Sequence, residues 1–146
     1  MFKTILVPTD GSPLSDIAVN AAIEFAQAMS GSKLVALSVA EPYPFSPLTE
    51  SSIAADSGIY EEKMREVAEQ RVQKVADAAK QVHIPCETVV AQSFSPYEEI
   101  IAAANKFQCD VIFMSSHGRK GLNRFFVGSE TQKVLAHTTI PVLVFR

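Results

Sequence analysis

Short continuous apolar runs alternate along the chain with stretches in which apolar residues recur at helical spacing. The runs include Ile5-Leu6-Val7, Leu34-Val35-Ala36-Leu37, Val111-Ile112-Phe113-Met114 and Val142-Leu143-Val144-Phe145. Their length and their β-branched and aromatic content predict buried strands over 2–8, 33–40, 87–92, 111–114 and 142–145. Between the first two runs, Ile17, Ala21 and Phe25, with Ala18, Ala22, Ala26 and Met29, repeat at helical spacing. Ser12 suits the N-cap of that helix, Pro13 its first turn, and Gly31 its close. The longest predicted helix covers 60–82. Its apolar stripe runs from Met64 through Val67, Ala68, Val72, Val75 and Ala79 to Val82, and Glu62, Arg65, Glu66, Glu69 and Lys74 form a solvated opposite face. Ile84-Pro85 stops it. Ser95-Pro96-Tyr97-Glu98 reads as a capping box opening a third helix, with Ile100, Ile101, Ala104 and Phe107 inward. A fourth helix starts at Ser129. Residues 41–58 hold Pro42, Pro44, Pro47 and several serines without a period, which predicts a long mobile connection.

Strand and helix thus alternate from end to end. Such alternation implies a five-stranded parallel sheet with helices on both faces, a Rossmann-like α/β fold. The chain length of 146 residues suits one domain, 1–146. In such sheets ligands bind beyond the carboxyl ends of the strands, where the strand order reverses. With order 3-2-1-4-5 the reversal falls between the first and fourth strands. Their exits, Pro8-Thr9-Asp10-Gly11 and Met114-Ser115-Ser116-His117-Gly118, then meet at one crevice.

Composition adds limits. Apolar content of 47% and charged content of 20% are those of an ordinary globular protein, and a formal net charge of −3 does not favour nonspecific nucleic-acid binding. No apolar run is long enough to span a bilayer. No cleavable signal pattern opens the chain, and Cys86 and Cys109 lack metal or CxxC spacing, so free thiols in a reducing cytoplasm are expected.

The chemistry concentrates in residues 110–130. There a strand breaks into small and cationic residues, Ser115 to Gly121, and a helix begins at Gly128-Ser129. Small residues let backbone N–H groups approach a phosphate, and a helix start presents unpaired N–H groups and partial positive charge. The same glycines also suit an ordinary turn between strand and helix.

The two strand exits resemble those of the universal stress protein family. Ile5-Leu-Val-Pro-Thr-Asp-Gly-Ser12 is similar to its first strand and turn, 112–129 to its signature loop, and Ile140-Pro-Val-Leu-Val144 to its closing strand. The resemblance covers essentially the whole chain and implies an adenine-nucleotide-hydrolase-like fold. Many members bind ATP through a glycine, two residues, a glycine, nine residues, then glycine and serine or threonine. Here Gly118, Gly128 and Ser129 match that pattern, whereas Ser115 stands where its first glycine would be. Glu130 follows in the first helical turn, where an apolar residue is frequent; its carboxylate suits the helix dipole but repels a phosphate. Arg119, Lys120 and Arg124, or a magnesium ion, can offset that repulsion. By resemblance, Pro8, Thr9 and Asp10 lie beside adenine and ribose, Val39 meets the base through its backbone, and Met114 borders sugar and base.

The function so implied is a cytoplasmic stress-response protein that binds ATP or a related adenine nucleotide and acts by regulated association. At most slow hydrolysis is expected, because no GxxxxGK[ST] run is present and His117 has no visible orienting partner. The alternative is a dimeric interaction protein of the same family without nucleotide. An adenylating enzyme of the related hydrolase folds would carry Ser-Gly-Gly where this chain has Thr-Asp-Gly-Ser. The resemblance also implies a homodimer through the last strand, 142–145, and an apolar edge strand favours such pairing.

Overall fold

The computed structural model describes residues 2–44, 53–118 and 127–146. The chain runs β1 (Thr4–Pro8), α1 (Pro13–Ala28), β2 (Lys33–Ala40), α2 (Ile53–Gln81), β3 (Cys86–Gln92), α3 (Pro96–Lys106), β4 (Val111–Ser115), α4 (Ser129–His137) and β5 (Val142–Phe145). All strand pairs are parallel and the order is β3-β2-β1-β4-β5, as the alternation predicts.

Period-two alternation sends each strand's side chains to two cores. Ile5, Val7, Leu34, Ala36, Val111 and Phe113 pack with Val19 and Ile23 of α1 and Val72 and Val75 of α2. Leu6, Val35, Leu37, Ile112 and Met114 pack on the other face with Ile100 of α3 and Val134 of α4. The central strands therefore bury both faces, which explains their unbroken apolar runs. Phe113 is fully buried and stacks in tilted contacts on Phe25 and Phe145.

Three details differ from the sequence-based expectation. α2 begins at Ile53, inside the stretch predicted as a mobile connection; residues 45–52 of that stretch lie outside the described residues. Asp56, Gly58 and Ile59 near the helix start are exposed and extend no buried stripe, so periodicity gave no sign of it. In α1, Ile17 is exposed while Val19 and Ile23 are buried, because the sheet-facing stripe is rotated toward Ala18, Ala22 and Ala26. Ser12 does cap α1, accepting the Ser15 N–H at 3.2 Å. The capping box of α3 does not form: Ser95 makes no side-chain cap bond, and Glu98 accepts the Tyr97 hydroxyl instead.

The start of β1 is tied to the start of β4 by one carboxylate. Asp110 Oδ2 accepts the N–H groups of Lys3 and Thr4, each at 2.8 Å. The Thr4 and Lys3 amides hold its carboxyl below the usual aspartate range. A lowered folded value means the contribution is complete above the unfolded value of about pH 4 and is lost as pH falls through the folded one. Asp110→Asn is expected to cost about 1 kcal/mol at pH 7, after discounting for solvent screening of an exposed group. Urea unfolding at pH 7 and pH 3 checks this: the wild-type advantage should shrink at the lower pH.

Candidate nucleotide site

β1 and β4 pair in register only at Ile5–Val111 and Leu6–Ile112, whereas β1 and β2 pair from Thr4–Lys33 to Pro8–Leu37. Pro8 has no N–H to extend a ladder. Past Leu6 and Ile112 the two central strands separate, and a crevice opens where the strand order reverses.

Two adjoining clefts occupy that end of the sheet. The inner one, about 150 Å³, is lined by Pro8, Thr9 and Asp10 from the β1 exit and by Met114, Ser115 and Gly118 from the β4 exit. Val39 of β2 and Glu130 of α4 also reach it. The outer one, about 800 Å³, shares Asp10, Val39, Gly118 and Glu130 and adds Gly128 and Ser129. Ten sequence-predicted site residues are thus brought to adjoining walls. Arg119, with Lys120 and Arg124, lies outside the described residues.

The β1 turn is closed by its own side chains. The Thr9 N–H donates to the Leu37 carbonyl at 2.8 Å, and its hydroxyl lies 3.2 Å from the Ser15 hydroxyl. Asp10 Oδ1 accepts the Ser12 N–H at 2.9 Å, an Asx turn. Its other oxygen faces the β4 loop: a Cβ on Gly118 would lie 3.0 Å from Oδ2. Any side chain at 118 would therefore push the Asp10 carboxylate aside by a few tenths of an ångström, although the φ of Gly118 is not among the positive values.

Ser115 is accommodated by its backbone conformation. Its φ is not positive, and its hydroxyl donates to the His117 carbonyl at 2.8 Å. His117 does have a side-chain partner, the Ser116 hydroxyl at 2.9 Å from Nδ1, contrary to the sequence-based expectation. A hydroxyl lacks the charge with which a carboxylate stabilises an imidazolium.

α4 is clasped to the β4 exit. The Gly128 N–H donates to the Ser116 carbonyl at 2.7 Å. The Thr131 hydroxyl lies 3.0 Å and 3.3 Å from the Ser115 and Ser116 carbonyls. A side chain on Gly128 would put its Cβ 3.1 Å from the Ser116 oxygen. One cradle amide expected to face a phosphate is therefore used internally. Helix geometry leaves the N–H groups of Ser129, Glu130 and Thr131 without an intrahelical acceptor.

Glu130 turns toward α3. Its Oε2 accepts the Tyr97 N–H at 3.0 Å, doing what Ser95 was expected to do, and its Oε1 accepts from Lys133 at 2.9 Å. The hydrogen bond to Glu130 holds the Lys133 ammonium above its usual range. The charge expected to repel a phosphate is thus partly compensated by a helix start and an ammonium.

Sequence reasoning missed Thr131 and Arg71. Thr131 sits three residues before Val134, on the buried side of α4, a polar residue at an apolar position. Arg71 sits four residues from both Val67 and Val75, a cation beside the apolar stripe of α2, and lines the outer cleft. Among the described residues no group of three or more His, Cys, Asp or Glu is placed to hold a metal, and no helix is long and apolar enough to cross a membrane.

Comparison with known proteins places the chain. The model of the universal stress protein family matches residues 1–146. A universal stress protein of Thermus aquaticus is 33% identical over 146 residues, the whole of both chains. The solved structure of MJ0577, a universal stress protein of Methanocaldococcus jannaschii, superposes with a TM-score of 0.83 at 26% identity, covering 99% of this chain and 96% of that one. A universal stress protein solved in complex with cAMP superposes with a TM-score of 0.71 at 25% identity, covering 99% and 97%. With the family model matching its whole length and a relative one-third identical end to end, the chain belongs to the universal stress protein family.

Proposed function

We propose that this chain is a cytoplasmic universal stress protein that binds ATP or a related adenine nucleotide and acts by binding and regulated association. The observation that carries the reading is the convergence of the β1 exit, the β4 exit and the first turn of α4 on one crevice. The related structure in complex with cAMP supports the choice of an adenine nucleotide. In this reading the apolar inner cleft, with Val39, Met114 and Pro8, takes the base. Asp10 Oδ2 takes a ribose hydroxyl, and the amides of Ser129 and Glu130 take phosphate oxygens. Magnesium would come with the triphosphate rather than sit in a protein cage, since among the described residues the cleft's carboxylates, Asp10, Glu41 and Glu130, form no metal-holding group. The chain's own part is positioning. His117, whose ring nitrogen is engaged by Ser116, is not assigned as a general base.

One observation favours the second reading, an interaction protein without nucleotide: the Gly128 amide is already bonded. Ligand-induced stabilisation separates the two. With a dissociation constant near 10 μM, 1 mM ATP would stabilise the fold by about 2.7 kcal/mol and raise Tm by about 8 °C. No rise with ATP, ADP, AMP or cAMP would leave only the second reading.

We also propose a homodimer through β5. β3 and β5 are the two sheet edges, but β3 carries exposed Glu87 and Thr88, whereas β5 is apolar throughout with Leu143 exposed. Charge blunts the first edge and leaves the second open to pairing. Sedimentation at micromolar concentration should show a dimer, and Leu143→Lys should shift it toward monomer. A monomeric wild-type chain would contradict the assignment.

A further inference from the structure

Phe94 stands in the turn between β3 and α3, 64% exposed, and lines the outer cleft. Exposure of a single apolar side chain says little by itself. The position of this one is specific, because the turn that carries it is fixed. The Ser93 N–H donates to the Ala40 carbonyl at 3.1 Å, which carries the bonding of β2 to β3 one step past the Ala40–Gln92 pair. The Ser95 N–H donates to the Ser93 hydroxyl at 3.0 Å. Phe94 is thereby pinned to the end of β2, whose Val39 and Ala40 line the same cleft. Among the described residues its ring stacks on no other ring.

The outer cleft is divided by chemistry. Apart from Glu41 and Arg71, the residues it draws from the β2 end, α2 and the β3–α3 turn are apolar: Val39, Ala40, Met64, Val67, Phe94 and Pro96. The β4 exit and α4 supply small and polar residues instead, with Gly118, Gly128 and Ser129 among them. The sheet order β3-β2-β1-β4-β5 sets these two walls on opposite sides of the parting of β1 and β4, and α2 packs on β2 and β3. A nucleotide with its phosphates at the first turn of α4 therefore has its base on the side of Phe94. Val39 and Pro96 line both clefts, so a base seated on them in the inner cleft has Phe94 in the adjoining wall.

We propose that Phe94 is a base-stacking residue, its ring covering the face of the adenine turned to the outer cleft. This assignment rests on the adenine-nucleotide reading above and adds to it an aromatic contact from a turn that belongs to neither of the two central strand exits. A benzene ring and a purine attract through dispersion and offset stacking, which an aliphatic side chain of similar area does not reproduce. The contact is to the base, so it serves nucleotides of any phosphate number.

Calorimetric titration of ATP, AMP and adenosine into the full chain tests the assignment, with wild type, Phe94→Ala, Phe94→Leu and Phe94→Trp. Phe94→Ala should weaken every ligand by one common factor, about fivefold or more, the same at low and high salt because the lost contact carries no charge. Phe94→Leu should stay weaker than wild type, and Phe94→Trp should bind as tightly as wild type. The chain contains no tryptophan, so the Trp variant carries a single reporter, and its emission should be quenched as ATP saturates. Melting without ligand checks that the variants keep the fold. A wild type that binds ATP, with Phe94→Ala or Phe94→Leu equal to it or with the Trp emission unmoved at saturation, overturns the role of Phe94 and leaves the nucleotide reading standing. A wild type that binds none of the ligands overturns both.

Discussion

The parting of β1 and β4 is the constraint on which the site depends. The two strands share only two register pairs before they diverge, although each is flanked on its other side by a longer ladder. The cause is local and topological. Pro8 cannot donate to a neighbour, and the chain leaves β1 and β4 toward opposite faces of the sheet, to α1 among one set of core residues and to α4 among the other. Leu6 and Ile112 close the bottom of the gap from the second core, and both are fully buried.

What keeps the gap from collapsing is a set of backbone attachments on each side. The β1 turn is locked by Thr9, Asp10 and Ser12 acting on their own backbone and on α1. The β4 exit is locked by Thr131 and Gly128. The two halves meet at Gly118 and Asp10, where an added Cβ would come to 3.0 Å from the Asp10 carboxylate. This rigidity bears on the proposed nucleotide: the Gly128 amide serves the clasp, so in that reading the phosphates meet later amides of the helix turn. Glu130 illustrates the same division. It completes the start of α3 through Tyr97 and thereby joins two helices across the second core, instead of standing as an unpaired charge at the cleft.

Most of the architecture was legible in the sequence because it rests on periodicity. Short continuous apolar runs rich in β-branched residues read as strands buried on both faces, and alternation with helices admits few topologies. β2 and β5 begin and end where the pattern places them. Features that depend on partners distant in sequence were not legible. Ser95 has every local property of a cap, yet Glu130, far along the chain, supplies the bond to the first turn of α3. The start of α2 was hidden because Asp56, Gly58 and Ile59 are exposed and mark no apolar stripe. The fit of Ser115 depends on a backbone φ that a motif does not state. Arg71 drew no notice in the sequence, although it stands four residues from both Val67 and Val75 of the apolar stripe and lines the outer cleft.

The most direct test follows backbone amides by NMR during titration with ATP. A nucleotide seated in the crevice shifts the resonances of Gly118, Ser129 and Glu130 and of the β1 turn at Thr9 and Asp10, while the opposite end of the sheet, at Lys33 and Asp110, stays unchanged. Shifts confined to the amino ends of the strands, or none at saturating ATP, would contradict a nucleotide site at the parting of β1 and β4.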